Sequence, residues 1–250
     1  MPQTYTNAPI TEAIIDFRVT VSDDCTLAHL ANIHDKVRAH YPVMEPIQIS
    51  SATVEIQAQS EPSVSSTYQH NGYSFRSEDG LYVFQAKLDG FTMNRLAPYE
   101  SWERFLGEAT SCWKEYCSAC HPTEVTRVAV RYINKLNLPG EDKDDSVELN
   151  HYLKTVPEIG SGFPQLMTNF FMQIQCPQED ISSMLVITEA LFPNGPQGMS
   201  SILLDLDLSR ESIWTIEEQE RIWQALEVLR TRKNEVFEAS ITDAARRLFS

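Results

Sequence analysis

The sequence predicts an α+β protein made of two similar halves, each with antiparallel strands and long helices on one side. Short runs of alternating apolar and polar residues have the two-residue period of half-buried strands. Asp-Gly pairs between neighbouring runs favour the tight hairpin turns that join antiparallel strands. Longer segments with apolar residues three and four positions apart predict amphipathic helices. We expect the halves to read β-α-ββββ-α over residues 1–123 and β-α-βββ-α over residues 124–250, within one compact unit.

The first half begins with a strand at 11–21, in which every second residue from Ile15 is apolar. A helix follows at about 26–40 and ends at Tyr41-Pro42, because proline cannot continue a helix. Three of the later strands form an antiparallel meander, with a hairpin turn at Asp89-Gly90. After the first helix, we predict a strand at 47–57, a loop at 59–66, strands at 72–77, 81–88 and 91–96, and an amphipathic helix at 99–118.

The second half begins with a strand rich in β-branched residues, in which Arg127 and Arg131 share one face. It ends in a long apolar heptad-like pattern that predicts a helix. We expect this helix to break near Ser240 and Thr242, because these residues are better caps than interior residues. The predicted elements are a strand at 125–138, a loop at 139–145, a short helix at 147–155, strands at 169–176, 184–192 and 201–208, a loop at 193–198, and the helical run at 215–249.

This order of elements is similar to TATA-binding-protein-like and helix-grip-like arrangements, in which a curved antiparallel sheet wraps long helices. The likeness concerns the fold alone and implies no function.

The composition restricts the classes of partner. The chain has a formal net charge of -15, from 35 acidic and 20 basic residues. This charge argues against a nucleic-acid partner, because binding to nucleic acid depends on many cation-to-phosphate contacts. No apolar run approaches the roughly 18 to 20 residues of a membrane span, and no export signal precedes the first strand. We therefore expect a cytoplasmic protein with no membrane contact. Its five cysteines are an odd number, which favours free thiols over a disulfide framework.

A family resemblance is found in segments near the two ends of the sequence. Residues 7–18 (NAPITEAIIDFR) and 233–242 (KNEVFEASIT) resemble the paired motifs of a divergent, sporadically distributed prokaryotic family of uncharacterised proteins. Residues 91–96 (FTMNRL) and 131–134 (RYIN) also resemble that family. The resemblance implies no activity. The family's patchy distribution implies an accessory role in defence or toxin control rather than in core metabolism.

One short string has the spacing of a covalent haem-attachment site, Cys117-Ser118-Ala119-Cys120-His121. It closes a predicted amphipathic helix in a chain without an export signal, so we do not interpret it as a haem site. Adding Cys112 gives three thiols and an imidazole near one helix end. Closed zinc sites usually take ligand pairs from two separate segments, so we predict no metal and no cofactor.

The most informative charged residues are Glu12, Asp16 and Arg18 on the first predicted strand. Asp16 and Arg18 share one strand face, where arginines from other strands would complete a polar cluster that grips an anionic group. The alternative is an ion-pair network that fixes strand register or faces solvent. For Asp205 and Asp207, which also share a strand face, we favour solvation over acid–base chemistry or cation binding. The candidate ligand- or partner-binding residues are Glu12, Asp16, Arg18, Arg95, Arg131, Lys233, Asn234 and Glu238; Arg127 is a further possible member of the cluster, and no catalytic residue is assigned.

The leading functional hypothesis is a non-enzymatic protein-interaction or ligand-sensing protein, because the sequence contains no recognisable catalytic constellation. The partner would be another protein or a second copy, with a small anionic ligand as a further option. The alternative is an enzyme or nucleotide-binding protein that uses the Glu/Asp/Arg cluster in a cleft between the halves. We also expect the N-terminal strand and C-terminal helix to pack together, bringing Glu12 and Asp16 near Lys233 and Asn234.

Overall fold

The structure, a computed structural model, describes residues 5–55, 63–140, 147–192, 196 and 199–250, with 50–55 and 63–67 described by their backbone alone. The strands are β1 (Ile10–Val21), β2 (Val43–Glu55), β3 (Ser63–Arg76), β4 (Tyr82–Lys87), β5 (Gly90–Leu96), β6 (Pro122–Pro139), β7 (Phe171–Gln178), β8 (Ser183–Phe192) and β9 (Met199–Thr215). The helices are α1 (Leu27–Val37), α2 (Trp102–Cys120), α3 (Leu149–Tyr152), α4 (Gln219–Ser240) and α5 (Asp243–Phe249).

All of these strands form one antiparallel sheet in the order β2-β3-β4-β5-β1-β6-β9-β8-β7. The predicted α+β class and the antiparallel character of the sheet are confirmed. β1 and β6 lie side by side at its centre, with Phe17 opposite Val128 and Asp16 opposite Ala129. Alternate β1 side chains such as Ile15 and Phe17 are fully buried, because one face of the sheet is covered by helices.

The main hydrophobic core lies between the sheet and the helices α1, α2 and α4. Phe17 packs edge-on against Trp113 of α2, with ring centroids 4.8 Å apart, and Trp223 of α4 approaches the same ring. The N-cap of α2 is Ser101, whose hydroxyl accepts a hydrogen bond from the Arg104 amide at 3.2 Å. We call the sheet face opposite these helices the open face.

A second hydrophobic cluster joins α3, α5 and the end of α4 to the same face of the sheet. The predicted helix break is confirmed: α4 ends at Ser240, and the Thr242 hydroxyl caps α5 by accepting from the Ala245 amide. The predicted packing of the N-terminal strand against the C-terminal helix is also found, because the rings of Phe17 in β1 and Trp223 in α4 lie 5.5 Å apart. The Asn7 amide donates to the Phe249 carbonyl at 2.9 Å, and the Tyr5 hydroxyl donates to Glu238 at 2.7 Å.

Several elements differ from the sequence prediction in extent. β3 begins at Ser63, so part of the predicted loop at 59–66 is a strand paired with β2. Strand β9 continues to Thr215 and buries Trp214 against the helices, and a 3₁₀ turn precedes α4. The remainder of that loop and most of the predicted loops at 139–145 and 193–198 lie outside the described residues.

The prediction of free thiols is wrong for two cysteines. Cys25 and Cys120 form a disulfide, with their Cα atoms 5.0 Å apart, whereas Cys112, Cys117 and Cys176 remain thiols. The number of cysteines in the sequence could not reveal this pair, because the two cysteines are 95 residues apart and come together only in the folded chain. None of the helices in the described ranges has the length and apolarity needed to cross a membrane.

Candidate functional site

Six charged side chains from four strands, β4, β1, β6 and β9, gather on the open face. We call this set the open-face charge cluster; it consists of Asp16, Lys87, Arg127, Arg131, Asp205 and Asp207. Their position follows from the two-residue period of strands. Asp16 lies between the buried Ile15 and Phe17 and therefore points away from the helices.

Asp16 is the acceptor at the centre of the cluster. Its Oδ1 accepts from Arg127 Nη1 at 3.0 Å, and its Oδ2 accepts from the Thr92 hydroxyl at 2.8 Å. Lys87 Nζ lies 3.8 Å from the same carboxylate and donates to Thr92 Oγ1 at 3.0 Å. These contacts connect β4, β5, β1 and β6 across the open face.

The other part of the cluster is a bidentate ion pair between Arg131 of β6 and Asp205 of β9. Arg131 Nε donates to Asp205 Oδ1 at 2.9 Å, and its Nη2 donates to Oδ2 at 2.6 Å. The Asp205 side chain is 8% exposed, whereas that of Arg131 is 43% exposed. Arg127 Nη2 lies 3.7 Å from Asp207 and so links the two halves of the cluster.

Burial also changes the proton affinity of two nearby carboxyl groups. Desolvation raises the pKa of Asp207, and the positive charges of Arg127 and Arg131 oppose this shift. Desolvation likewise raises the pKa of Glu12, with Arg131 opposing it. Glu12, Asp16, Arg127 and Arg131 therefore share the open face, where the charge of Arg131 acts on the pKa of Glu12. The convergence of Glu12, Asp16, Arg18 and Arg131 in one pocket stays a prediction.

Within the cluster, each guanidinium is paired with a carboxylate, and positive and negative charges are interleaved. An incoming anion would have to displace Asp16 or Asp205 from an arginine that already binds it. The arrangement instead holds strands in register, which corresponds to the structural alternative considered from the sequence. Asp205 is buried and paired rather than solvated, so the favoured interpretation of that residue is wrong.

Arg95 and Arg18 are predicted site residues that lie outside the cluster. Arg95 is 1% exposed and lies on the helix-covered face. Its guanidinium carbon lies 4.5 Å from the centre of the Tyr82 ring, and its Nη2 donates to the Pro98 carbonyl at 2.8 Å. Its position in the register, opposite the buried Ala13, explains this placement. Arg18 is exposed on the open face, with no ion pair to any residue in the described ranges.

Lys233 is buried beneath α4 on the helix-covered face. It is 6% exposed, and its Nζ lies 3.5 Å from the centre of the Tyr132 ring. Burial lowers the pKa of Lys233 to about 7, with a smaller contribution from Arg230. Because Glu12 and Asp16 are on the other face, the expectation that they lie near Lys233 is wrong.

The other two C-terminal candidates have different environments. Asn234 is half-buried on α4. Glu238 accepts hydrogen bonds from Tyr5 and from Arg246 Nε, the latter at 2.8 Å, so it joins the N-terminal segment to α4 and α5. Its contacts are therefore those of a residue that holds the two chain ends together.

Sequence reasoning missed Glu189 on β8. This residue is fully buried on the helix-covered face, and neither carboxyl oxygen has a hydrogen-bond partner among the residues that the structure describes. Burial raises its pKa to about 7. The available signal was the alternation of Leu185, Ile187, Glu189 and Leu191, which places a carboxyl group at an apolar position.

A group of large apolar side chains lies on the open face at the β7 end of the sheet. We call it the β7-end patch; it consists of Phe171, Phe192 and Met199, which are 71%, 41% and 42% exposed. The Lys135 Nζ lies 4.4 Å from the centre of the Phe192 ring. β7 itself is an edge strand, paired with β8 alone.

Comparison of the sequence with models of protein families and with curated proteins found no match. The resemblance to a prokaryotic family therefore stays a prediction. Across the described ranges, no three His, Cys, Asp or Glu side chains are grouped so that they could hold a metal ion.

Proposed function

We propose that this chain is a non-enzymatic interaction protein that binds an extended segment of a partner protein, or of a second copy, along β7. The observation that carries the proposal is the character of this edge strand. Phe171–Gln178 contains no charged residue, and Phe171, Gln173 and Gln175 are exposed. Natural edge strands are usually protected by charges, proline, bulges or covering segments, because their free amides and carbonyls pair readily with other strands. β7 has one such feature, Pro177, next to its last residue.

The contacts available at β7 suit strand addition. Its outer side has no strand partner among the described residues, so a partner strand would satisfy these backbone groups. The neighbouring β7-end patch would provide pockets for alternate apolar side chains of that strand. Backbone hydrogen bonds would then supply affinity, and the patch would supply selectivity.

The open-face charge cluster supports this proposal indirectly. Its ion pairs fix the register of the central strands and so present β7 on a rigid sheet. The alternative of an enzyme or nucleotide-binding protein needs unpaired cations or carboxylates in a cleft, whereas Arg127 and Arg131 already hold Asp16 and Asp205. A ligand-sensing role in that cluster would similarly require an ion pair to open.

We also infer that the sheet arose by duplication of a TATA-binding-protein-like unit. The strand order supports this inference, because β5, β4 and β3 follow β1 on one side as β9, β8 and β7 follow β6 on the other. The helices repeat as well: α1 follows β1 and α2 follows β5 along the chain, as α3 follows β6 and α4 follows β9. The resemblance to a sporadically distributed prokaryotic family suggests defence or toxin control as the setting.

The test places a charge on the edge strand without disturbing the core. Gln173→Lys and Gln175→Lys change exposed β7 residues, and Ser111→Lys adds the same charge on the exposed side of α2 as a matched control. We expect the β7 variants to lose self-association in analytical ultracentrifugation, or to lose a partner that the parent and Ser111→Lys recover from the native host.

Equal association by the parent and all three variants would contradict the proposal. Turnover of a phosphoester, peptide or nucleotide substrate that Asp16→Ala abolishes would instead establish the enzymatic alternative. Circular dichroism of each variant checks that the sheet is intact.

A further inference from the structure

A cavity of about 300 Å³ opens onto the disulfide between Cys25 and Cys120. We propose that this disulfide is a thiol-exchange site, which low-molecular-weight thiols of the glutathione class enter through the cavity and open. The proposal concerns a surface distant in the fold from β7 and does not depend on the proposed function.

The two cysteines differ in exposure, and exposure decides which sulfur an incoming thiolate attacks. Cys25 is half-buried in the turn between β1 and α1, whereas Cys120 is 1% exposed at the last residue of α2. The cavity is also lined by polar side chains suited to a small hydrophilic thiol, among them His29, Lys36 and His121. An incoming thiolate therefore reaches Cys25 first.

Both cysteines lie at the ends of elements, so their sulfurs can separate without breaking a helix. The Cys25 amide donates to the Ser22 carbonyl at 3.0 Å within a turn. Cys120 is followed by His121, whose φ of 45° ends α2 in a left-handed conformation. Opening the disulfide therefore leaves the hydrogen bonds within α1 and α2 in place.

The other cysteines of the first half are poor competitors. Burial raises the pKa of Cys112 and that of Cys117 to about 12, so both remain protonated thiols near neutral pH. Cys117 lies one helical turn before Cys120 but is too weak a nucleophile to exchange with it readily. The exchange is therefore confined to Cys25 and Cys120.

The reaction proceeds in two balanced steps. A glutathione thiolate attacks Cys25 Sγ, the disulfide bond breaks, and its electron pair passes to Cys120 Sγ, which takes a proton from solvent. A second thiolate attacks the glutathione sulfur of the mixed disulfide and releases Cys25 as a thiolate. The disulfide is reduced by two electrons, and two glutathione molecules are oxidised to glutathione disulfide.

Reduction removes the covalent link between the start of α1 and the end of α2. Helix α1 is then held by the packing of Leu30, Ile33 and Val37 and by the contacts of Lys36 with Glu115 and Ser118 of α2. We expect faster amide exchange across Leu27–Val37 in the reduced protein, with unchanged exchange in the middle of α2.

The test uses the full chain under native conditions. Protein purified without reductant is incubated with reduced glutathione at neutral pH, free thiols are trapped with N-ethylmaleimide, and the modified positions are mapped by mass spectrometry. We expect Cys25 and Cys120 to become modified together and at least about tenfold faster than Cys112 or Cys117. Cys117→Ser should leave this rate unchanged.

A second variant identifies the attacked sulfur. Cys120→Ser incubated with glutathione disulfide should acquire glutathione on Cys25, whereas Cys25→Ser should leave Cys120 unmodified. The proposal is overturned if Cys25 and Cys120 are already free before reduction, if they react only in denaturant, or if glutathione attaches equally to both positions. The parent protein alone decides the first two outcomes, even if a variant fails to fold.

Discussion

Replacing Lys233 by methionine should stabilise the protein near neutral pH, and the gain should disappear in alkaline solution. The side chain is 6% exposed, and its Nζ faces the Tyr132 ring rather than a carboxylate. Methionine has a similar length and no charge, so Lys233→Met removes the buried ammonium while keeping most of the packing.

The magnitude follows from the pKa of Lys233, which burial lowers from 10.5 to about 7. At about 1.4 kcal/mol per pKa unit, the desolvation of the ammonium destabilises the fold by about 4 to 5 kcal/mol near neutral pH. We therefore expect Lys233→Met to raise the free energy of unfolding by about 4 kcal/mol near neutral pH.

The sign of the pH dependence can be worked out directly. Below about pH 7, Lys233 is protonated in both states, and the penalty is present in full. Between about pH 7 and pH 10, the folded state has released the proton and the unfolded state has not. The unfolded state then binds more protons, so the parent gains stability as the pH rises, and its difference from Lys233→Met shrinks toward zero.

The assay is urea unfolding of both proteins at a series of pH values, followed by the fluorescence of the four tryptophans. Taking the difference between the proteins cancels other titrations, such as those of Cys112 and Cys117, whose pKa values burial raises to about 12. Lys114→Met, on the exposed side of α2, is the matched control for replacing a lysine by methionine outside the core. A Lys233→Met protein that is less stable than the parent at neutral pH would refute the reasoning.

Two further predictions concern the sheet. Arg131→Ala leaves the buried Asp205 carboxylate without its partner and should lower the free energy of unfolding by about 2 kcal/mol, between the values typical of exposed and buried pairs. Replacing Arg131 and Asp205 together should be less harmful than the sum of the single changes in urea unfolding; strict additivity would show that the pair does not interact. Gly72→Ala would place a Cβ atom 2.1 Å from the Ala86 carbonyl oxygen and should destabilise the β3–β4 pairing by about 3 kcal/mol or more. Gly107→Ala, in open space on α2, should instead stabilise by about 0.5 to 1 kcal/mol, and similar effects of the two changes in thermal unfolding would contradict the predicted contrast.

Local patterns in the sequence were sufficient for the elements whose burial has a clear period. The alternation in β1 identified Ile15 and Phe17 as core residues, and the break before α5 followed from Ser240 and Thr242. The extension of β3 back to Ser63 was missed because this stretch is rich in serine and lacks an apolar period. Its strand structure depends on backbone pairing with β2, which is not visible in local composition.

The candidate site was predictable only in part, because its contacts join residues distant in the chain. The strand period places Asp16, Arg127 and Arg131 on one face, but not the pairing of Arg131 with Asp205, which depends on the register between β6 and β9. The same limit applies to Arg95, whose strand face is set by its register opposite Ala13. Edge position is also a property of the whole sheet, so the exposed β7 had no local signal.

The central position of β1 has a consequence for how the chain folds. Both neighbours of this strand, β5 and β6, lie much further along the sequence, with Asp16 opposite Thr92 and Ala129. Such non-local pairing gives a high contact order, which predicts slow folding and a long period during which apolar strand edges are unpaired. The net charge of -15 should reduce aggregation in that period, because partly folded chains of the same strong charge repel one another.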